Sequence, residues 1–216
     1  MLDILVTIPN QHWIHKLVVR NMLWIYSDKR YRTVIDMPSH KPYENNLHHI
    51  VVSFLKGSFD FWLSIDADNP CLKNPLDLVE LNKDIIGLPT PVWHFLDNGK
   101  KERPVYWNAY DYEPTADAYK EHMPREGLQE VDAIGTGCFL IARRVFENPE
   151  LQKGAFVRKL NPDGTVERGN DISFCERVGK RIGQGFGIYC HYDYPCGHFS
   201  ELELNEVVKA FRNLYE

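Results

Sequence analysis

The sequence has no long apolar run, no excess of basic residues and no paired-cysteine motif. None of the apolar stretches in its 216 residues approaches the roughly 18 residues that a membrane-spanning helix needs. The net charge of -5 gives no electrostatic support for wholesale binding to nucleic acids or membrane surfaces. The five cysteines include no C-x-x-C pair, and no Asn-x-Ser/Thr sequon is present. The thiols are therefore predicted to be reduced and to fill the core.

Several motifs of nucleotide-dependent and metal-dependent proteins are also absent. The sequence contains neither the glycine-rich loop of P-loop proteins, which ends in Gly-Lys-Ser/Thr, nor the His-Glu-x-x-His pair of zinc proteases. Gly135 and Gly137 lack the third glycine of the dinucleotide-binding fingerprint. An EF-hand loop that began at Asp66 would need glycine and glutamate where the chain has Cys71 and Asp77. These absences argue against the four corresponding classes of protein.

The amino-terminal residues show no sign of a targeting segment. Met1, Leu2 and Asp3 lead directly into a short apolar run, without a basic region or a cleavage-like site. We therefore expect no signal peptide and a cytoplasmic location. The length predicts one domain whose core can bury most of its apolar surface.

Strand-like and helix-like patterns alternate along the chain. Short apolar runs predict strands, and apolar residues at helical spacing predict the helices between them. The predicted strands are 2–8, 31–36, 59–65, 84–88, a run within 131–142, and 187–192. The predicted helices are 14–25, 47–55, 76–81, 172–182 and 204–214. This order predicts an α/β fold with a doubly wound mixed sheet flanked by helices.

Two segments interrupt this alternation. Residues 89–127 are rich in proline and aromatic residues and have little periodicity, which predicts an irregular binding loop. Residues 154–169 are polar and turn-rich, which predicts a mobile lid. The aromatic residues of the first segment are Trp93, Phe95, Tyr106, Trp107, Tyr110, Tyr112 and Tyr119.

The strongest local feature is the pair Asp66 and Asp68, which directly follows the predicted third strand. Ligands of α/β sheets bind beyond the carboxyl ends of the strands. Two carboxylates two residues apart can hold Mg²⁺ or Mn²⁺, ions that also bind phosphates. Asp-Asn-Pro is equally good turn chemistry, so a purely structural interpretation of the pair stays open.

Two later segments also offer reactive side chains. Asp171 lies at the start of a predicted helix, where it is interpreted either as part of an N-cap or as a general base facing a cleft. His198 follows the last predicted strand in a glycine turn, and a neutral imidazole there can complete a carboxylate-rich metal site. His191 is the alternative ligand.

Six segments, in order, resemble the GT-A glycosyltransferases, close to the family 2-like stand-alone enzymes of bacterial and phage genomes. The segments are 4–9, 42–47, 61–68, 131–144, 169–176 and 187–198. The resemblance implies a single GT-A domain over 1–216, with a nucleotide-sugar-binding half at 1–88 and an acceptor and catalytic half at 89–216. It implies a hexosyltransferase, in a bacterial or phage-infected cytosol, that uses a UDP-sugar and Mn²⁺ or Mg²⁺ and inverts the anomeric centre.

The resemblance also implies a role for each site residue. Asp66 and Asp68 are similar to the D-x-D motif that holds the metal on the donor diphosphate, and His198 to the histidine that completes that site. Asp171 is similar to the catalytic base. The other residues implied in donor binding are Pro9 and Asp36 at the base and ribose, Asn46, Ala67, and the segment Gly135, Thr136 and Gly137 beside the sugar.

The chain departs from the family pattern at two positions. Asn170 stands where the family has glutamate, and Asn45 stands where arginine is usual. The first departure leaves the base assignment and the choice between inversion and retention open. It also supports one alternative, a non-catalytic nucleotide-sugar-binding protein of the same fold. A nucleotidyltransferase is the other alternative, although residues 9–12 are unlike its triphosphate loop. The acceptor stays open among a glycan, a protein, a small molecule and a nucleic-acid base. The prediction requires His198 to lie beside the carboxylates at 66 and 68.

Overall fold

The structure, a computed structural model, describes residues 1–9, 13–93, 105–123, 125–181 and 183–199. The predicted helix at 204–214 and the loop residues 94–104 lie outside these ranges. The helices of the described part are α1 (Lys16–Ser27), α2 (Tyr43–Lys56), α3 (Arg143–Phe146) and α4 (Asn170–Val178), with a 3-10 helix at Pro75–Leu81. The strands are β1 (Asp3–Thr7), β2 (Arg32–Asp36), β3 (Phe61–Ile65), β4 (Ile85–Gly87), β5 (Pro91–Trp93), β6 (Val105–Trp107), β7 (Ala109–Glu113), β8 (Ala118–Glu121), β9 (Leu128–Glu130), β10 (Ala133–Ile134), β11 (Cys138–Ala142), β12 (Lys159–Leu160), β13 (Val166–Arg168) and β14 (Ile188–His191).

Seven strands form the main sheet, in the order β2-β1-β3-β11-β4-β14-β9. β1 pairs in parallel with β2 and β3, and β14 pairs in parallel with β4. β11 runs antiparallel between β3 and β4, and β9 closes the far edge antiparallel to β14. The sheet is therefore mixed, as predicted.

Helices cover both faces of this sheet, because the side chains of successive strand residues point to opposite faces. On one face Trp62 of β3 packs with buried residues of α2, α3 and α4. On the other face Leu63 packs with residues of α1 and the 3-10 helix. The α/β fold predicted from the sequence, a mixed sheet flanked by helices, is confirmed. Within the described residues, no helix is both long and apolar enough to cross a membrane.

Several predicted boundaries were wrong. The described part of 89–127 is not an irregular loop, since it contains β5 to β8 in antiparallel pairs. The predicted strand region 131–142 divides into β10 and β11, which belong to different sheets. The helix predicted over 172–182 starts at Asn170 and ends at Val178. These strands have only two to five residues each, and β7 also pairs with β10 outside the segment, so local periodicity does not reveal them.

Candidate functional site

The sheet brings most of the predicted site residues to one edge. β1, β2 and β3 are parallel, so Pro9, Asp36 and Asp66, which end or follow them, lie at the same edge. β11 runs the other way beside β3, so Gly137, which precedes it, lies there as well. The Ile8 amide donates to the Asp36 carbonyl at 2.9 Å, and the Asp66 amide donates to the Gly137 carbonyl at 2.8 Å.

The turn after β3 is held by segments from both ends of the chain. The Ala67 carbonyl accepts from the His15 amide at 2.8 Å, and the Asp68 carbonyl accepts from the Phe199 amide at 3.0 Å. The rings of His15 and Phe199 stack, with centroids 3.9 Å apart. Backbone bonds therefore fix the position of the D-x-D turn.

Asp66 is a carboxyl group whose surroundings favour its neutral form. The Tyr43 hydroxyl donates to Asp66 Oδ1 at 3.0 Å. Burial raises the pKa of Tyr43, while the neighbouring Thr136 side chain lowers it. Burial raises the pKa of Asp66 to about 8, while the Tyr43 hydrogen bond lowers that pKa and the charges of Asp68 and Asp171 raise it further. The carboxyl groups of Asp66, Asp68 and Asp171 are thus close enough to interact, and a bound cation would offset the repulsion between their negative charges.

His198 lies beside Asp68, with its Nε2 atom 3.7 Å from Asp68 Oδ2. Its Nδ1 atom is 2.7 Å from the carbonyl oxygen of Pro91, which can only accept, so Nδ1 carries a proton. In the neutral ring, Nε2 is then the nitrogen with a free lone pair, directed toward a carboxylate. Histidine ligands of metals commonly donate their other ring N–H to a carbonyl or carboxylate in this way.

The donor set of this region fits a divalent cation. The separation of 3.7 Å between Asp68 Oδ2 and His198 Nε2 lies between the values of about 2.9 Å and about 4.2 Å for adjacent and opposite ligands of an octahedral ion, so a small side-chain adjustment would bring both onto one ion. Asp66 belongs to the same turn but hydrogen-bonds to Tyr43, and it does not join the other two in a compact three-ligand cluster of the described residues. The Asp68–His198 pair is the preformed part of the site.

His191, the alternative ligand, has different neighbours. Its ring packs edge-on against Tyr194, with centroids 4.7 Å apart. Burial lowers the pKa of His191, and its Nδ1 atom has no hydrogen-bond partner among the described residues. The histidine that the structure places beside Asp68 is His198.

Asp171 lies in the first turn of α4 and faces the same region. The N-cap residue is Gly169, and Asp171 Oδ1 accepts from the Ile172 amide at 2.8 Å, so the carboxylate also stabilises the helix start. Burial raises the pKa of Asp171, while the Ile172 hydrogen bond and the Arg158 charge lower it. A raised pKa suits a general base because it strengthens the carboxylate as a proton acceptor.

The aromatic segment contributes two tyrosines to this region. The rings of Tyr106 and Tyr110 meet at 61°, with centroids 6.2 Å apart. Burial raises the pKa of both hydroxyls, and the charge of Asp171 raises both further. Tyr112 and Tyr119 instead pack against each other, with centroids 5.3 Å apart. Trp107 packs against the core, while Phe95 and the side chain of Trp93 lie outside the described residues.

The residues predicted to bind the nucleoside have protein partners of their own. Both ends of the buried Asn46 amide are bonded to the loop after β2, since Oδ1 accepts from the His40 amide at 3.2 Å and Nδ2 donates to the Pro38 carbonyl at 3.0 Å. Pro9 is buried, and the exposed Asp36 accepts from the Met37 amide at 2.9 Å. The visible effect of Asn46 is to hold the loop behind Asp36. Donor binding by these residues stays a prediction.

Close packing explains the two glycines that precede β11. A Cβ atom at Gly135 would lie 2.5 Å from Nδ2 of Asn108. A Cβ atom at Gly137 would lie 3.0 Å from Oδ1 of Asn69 and 3.1 Å from Oγ1 of Thr90. The groups that approach these glycines closely in the structure are protein side chains. The role of this segment beside a donor sugar stays a prediction.

The predicted lid is an antiparallel pair of strands that lies beside the site. β12 and β13 pair within it, and Arg158 forms an ion pair with Glu44 at the start of α2. The same guanidinium charge acts on Asp171. Mobility of this segment stays a prediction.

Sequence reasoning missed three contributors to the region. Tyr43 and Arg158 carry no motif, and only the tertiary structure brings them to Asp66 and Asp171. Asn170 was noted only as a departure from the family pattern. Its Nδ2 atom is buried without a hydrogen-bond partner among the described residues.

The raised pKa of Asp66 predicts a specific pH dependence of stability without metal. Its folded-state value of about 8 exceeds the ordinary 3.8, so the folded protein holds one more proton than the unfolded chain between these values. The free energy of unfolding is therefore expected to fall as the pH rises from about 4 to about 8. Urea unfolding in a chelator at several pH values measures this slope. In Asp66→Asn, whose amide oxygen still accepts from Tyr43, the slope should flatten, and an unchanged slope would contradict the assignment.

Comparisons with known proteins bear on the fold. No protein-family model matches the chain, and no curated protein matches it at a significant level.

Solved structures do match. A197 from STIV is 16% identical over 93% of this chain and 87% of its own, with a TM-score of 0.58. A glycosyltransferase involved in the glycosylation of the major capsid of PBCV-1 is 13% identical over 95% of this chain and 98% of its own, with a TM-score of 0.44. UDP-glucose pyrophosphorylase complexed with UDP-glucose is 9% identical over 100% and 99%, with a TM-score of 0.49. The likeness to A197 shows that the two chains share this mixed α/β fold.

Proposed function

We propose that the chain is a metal-dependent glycosyltransferase of the GT-A type, which moves a sugar from a UDP-sugar to an acceptor hydroxyl with inversion. The observation that carries the proposal is the arrangement of His198, whose Nε2 lies 3.7 Å from Asp68 while its Nδ1 is bonded to the Pro91 carbonyl. A nitrogen ligand and an oxygen ligand therefore lie together beyond the carboxyl ends of the parallel strands, where α/β proteins bind nucleotides.

The donor side of the proposed site is the turn after β3. Asp66, Asp68 and His198 would hold Mn²⁺ or Mg²⁺, and such an ion supplies electrostatic stabilisation to the charge that develops on the leaving diphosphate. Pro9 and Asp36, at the ends of the neighbouring strands, are proposed to contact the base and ribose. Thr136, whose side chain affects the pKa of Tyr43, is proposed to lie beside the donor sugar with Gly135 and Gly137.

The acceptor side is proposed to lie around Asp171. The acceptor oxygen forms a bond to the anomeric carbon as the bond from that carbon to the UDP oxygen breaks, and UDP leaves with the electron pair. Asp171 takes the proton of the acceptor hydroxyl. One displacement of this kind inverts the anomeric centre. Tyr106 and Tyr110 offer aromatic faces beside Asp171 on which a sugar ring can pack.

The side-chain amide of Asn170, which lacks a hydrogen-bond partner among the described residues, is consistent with a ligand bound beside Asp171. A buried N–H donor without a partner is costly, and a ligand oxygen would satisfy it. Asn170 precedes Asp171 at the start of α4, and we propose that its amide gains a partner when an oxygen of the bound acceptor or donor sugar reaches it.

Hydrolysis of UDP-sugars in the absence of an acceptor tests the proposal. A glycosyltransferase transfers slowly to water, so we expect Mn²⁺-dependent release of UDP from at least one of a panel of UDP-sugars, measured by a coupled UDP assay. A non-catalytic binding protein would be stabilised by the same nucleotide without releasing UDP. A nucleotidyltransferase would release pyrophosphate from a nucleoside triphosphate and a sugar phosphate. Either outcome would overturn the proposed reaction.

A further inference from the structure

Three buried cysteines from distant parts of the chain meet beneath the candidate site. Cys71 follows the turn after β3, Cys138 begins β11, and Cys196 lies in the segment after β14. Their exposed fractions are 1%, 0% and 3%. The Sγ atom of Cys71 is 3.4 Å from that of Cys138 and 3.7 Å from that of Cys196, and all three sulfur atoms lie within 4.8 Å of one another.

The backbone fixes the positions of these sulfur atoms. Cys71 and Cys196 oppose each other in an antiparallel bridge, and the Cys196 amide donates to the Pro89 carbonyl at 2.9 Å. The buried side chain of Asn21 bonds to both backbone groups of Cys71, each at 2.8 Å. The Cys138 carbonyl accepts from the Leu88 amide at 2.9 Å. The three thiols are thus held together by the fold before any ligand binds.

The spacing and type of these groups suit one thiophilic metal ion. Three sulfur ligands at about 2.3 Å from Zn²⁺ stand about 3.8–4.0 Å apart, close to the separations observed here. Thiolates select soft ions such as Zn²⁺, whereas carboxylate sites suit Mg²⁺ and Mn²⁺. When a divalent ion binds and the three thiol protons leave to solvent, the ion and its three thiolates together carry a net charge of minus one. A monovalent ion would leave minus two, which is costlier to bury.

We propose that Cys71, Cys138 and Cys196 form a binding site for one thiophilic divalent ion, Zn²⁺ being the natural occupant. This site is separate from the proposed carboxylate–histidine site and does not depend on the reaction that we propose. Cys175 and Cys190 are outside it, and the Cys175 thiol instead bonds to the backbone of Ile134.

The position of the thiol site gives it a structural consequence. Cys71 follows Asp68 by three residues, Cys138 directly follows Gly137, and Cys196 precedes His198 by two. An ion on the three sulfur atoms would therefore tie together the three segments that build the candidate site. Binding at the thiol site should stabilise the Asp68–His198 arrangement and, by linkage, be strengthened by it.

Titration of the reduced, chelator-treated full chain with Cd²⁺ tests the thiol site, with excess Mg²⁺ present to occupy the carboxylates. We expect a cadmium–thiolate charge-transfer absorption that saturates at one Cd²⁺ per chain and that also develops when Cd²⁺, the softer ion, displaces Zn²⁺ from the Zn²⁺-loaded chain. Each of Cys71→Ser, Cys138→Ser and Cys196→Ser should lose this saturating absorption. The matched controls Cys175→Ser and Cys190→Ser change equally buried thiols and should keep it.

Two further measurements keep the outcome clear if a serine variant does not fold. X-ray absorption of the Zn²⁺-loaded wild-type chain should show three sulfur neighbours at about 2.3 Å. Asp68→Asn should keep the cadmium absorption, which separates failure of the thiol site from failure of the proposed glycosyltransferase site. No thiolate absorption in the wild type, or a zinc shell of nitrogen and oxygen alone, would overturn the inference.

Discussion

Replacing Asp171 by asparagine is expected to lower the rate of sugar transfer by about 10²- to 10⁴-fold, the contribution typical of a general base. Asparagine keeps the oxygen that accepts from the Ile172 amide, so the start of α4 should form normally. It cannot take a proton from an acceptor hydroxyl. Initial rates with a UDP-sugar and its acceptor, or of donor hydrolysis when no acceptor is known, measure the effect.

The same variant separates catalysis from binding. Because Asp171 is proposed to contact the acceptor rather than the diphosphate, Mn²⁺-dependent stabilisation by UDP should match that of the wild type. The melting temperature of the free protein should also be close to that of the wild type. A variant that retains the full transfer rate would exclude Asp171 as the base, whereas parallel losses of rate and UDP binding would indicate a structural role.

Replacing Asp68 by asparagine is expected to remove most of the metal-dependent stabilisation of the protein by UDP. A ligand at 100 times its Kd stabilises the folded state by about 2.7 kcal/mol, and this amount depends on affinity for the bound metal and nucleotide. The variant loses the carboxylate that faces Nε2 of His198. Thermal unfolding with UDP, with and without Mn²⁺, measures the difference.

A second aspartate–histidine pair provides a matched control for Asp68. Asp111 lies 2.8 Å from Nδ1 of His122, and its side chain is 35% exposed, against 33% for Asp68. We expect Asp111→Asn to leave the UDP and Mn²⁺ response unchanged. Equal responses in the Asp68 variant and the wild type would show that the metal does not bind at the turn after β3.

The sequence predicted the central strands well because their signal is local. β1, β3 and β4 are short apolar runs, and α2 shows apolar residues at helical spacing closed by Gly57. Parallel strands place their carboxyl ends at one edge, so the positions of Pro9, Asp36 and Asp66 followed from strand order alone.

The segment 89–127 was mispredicted because its strands are short and because β7 also pairs with a strand outside the segment. β7 pairs with β10, and β5 and β6 are separated by residues that the structure does not describe. A three-residue strand offers too few positions for a period-two pattern to stand out. Hydrogen bonding to a partner strand, rather than local propensity, decides such elements.

The sequence by itself determined the order of helices and strands, the α/β class, and the presence of two carboxylates at the tip of a buried strand. Only the tertiary structure decided that His198, rather than His191, lies beside Asp68, and that Tyr43 donates to Asp66. It also brought together Cys71, Cys138 and Cys196, which the sequence presented as unrelated core thiols. The reason is physical: periodicity reports which side of its own element a residue faces, whereas contacts between elements depend on how the whole sheet and its loops pack.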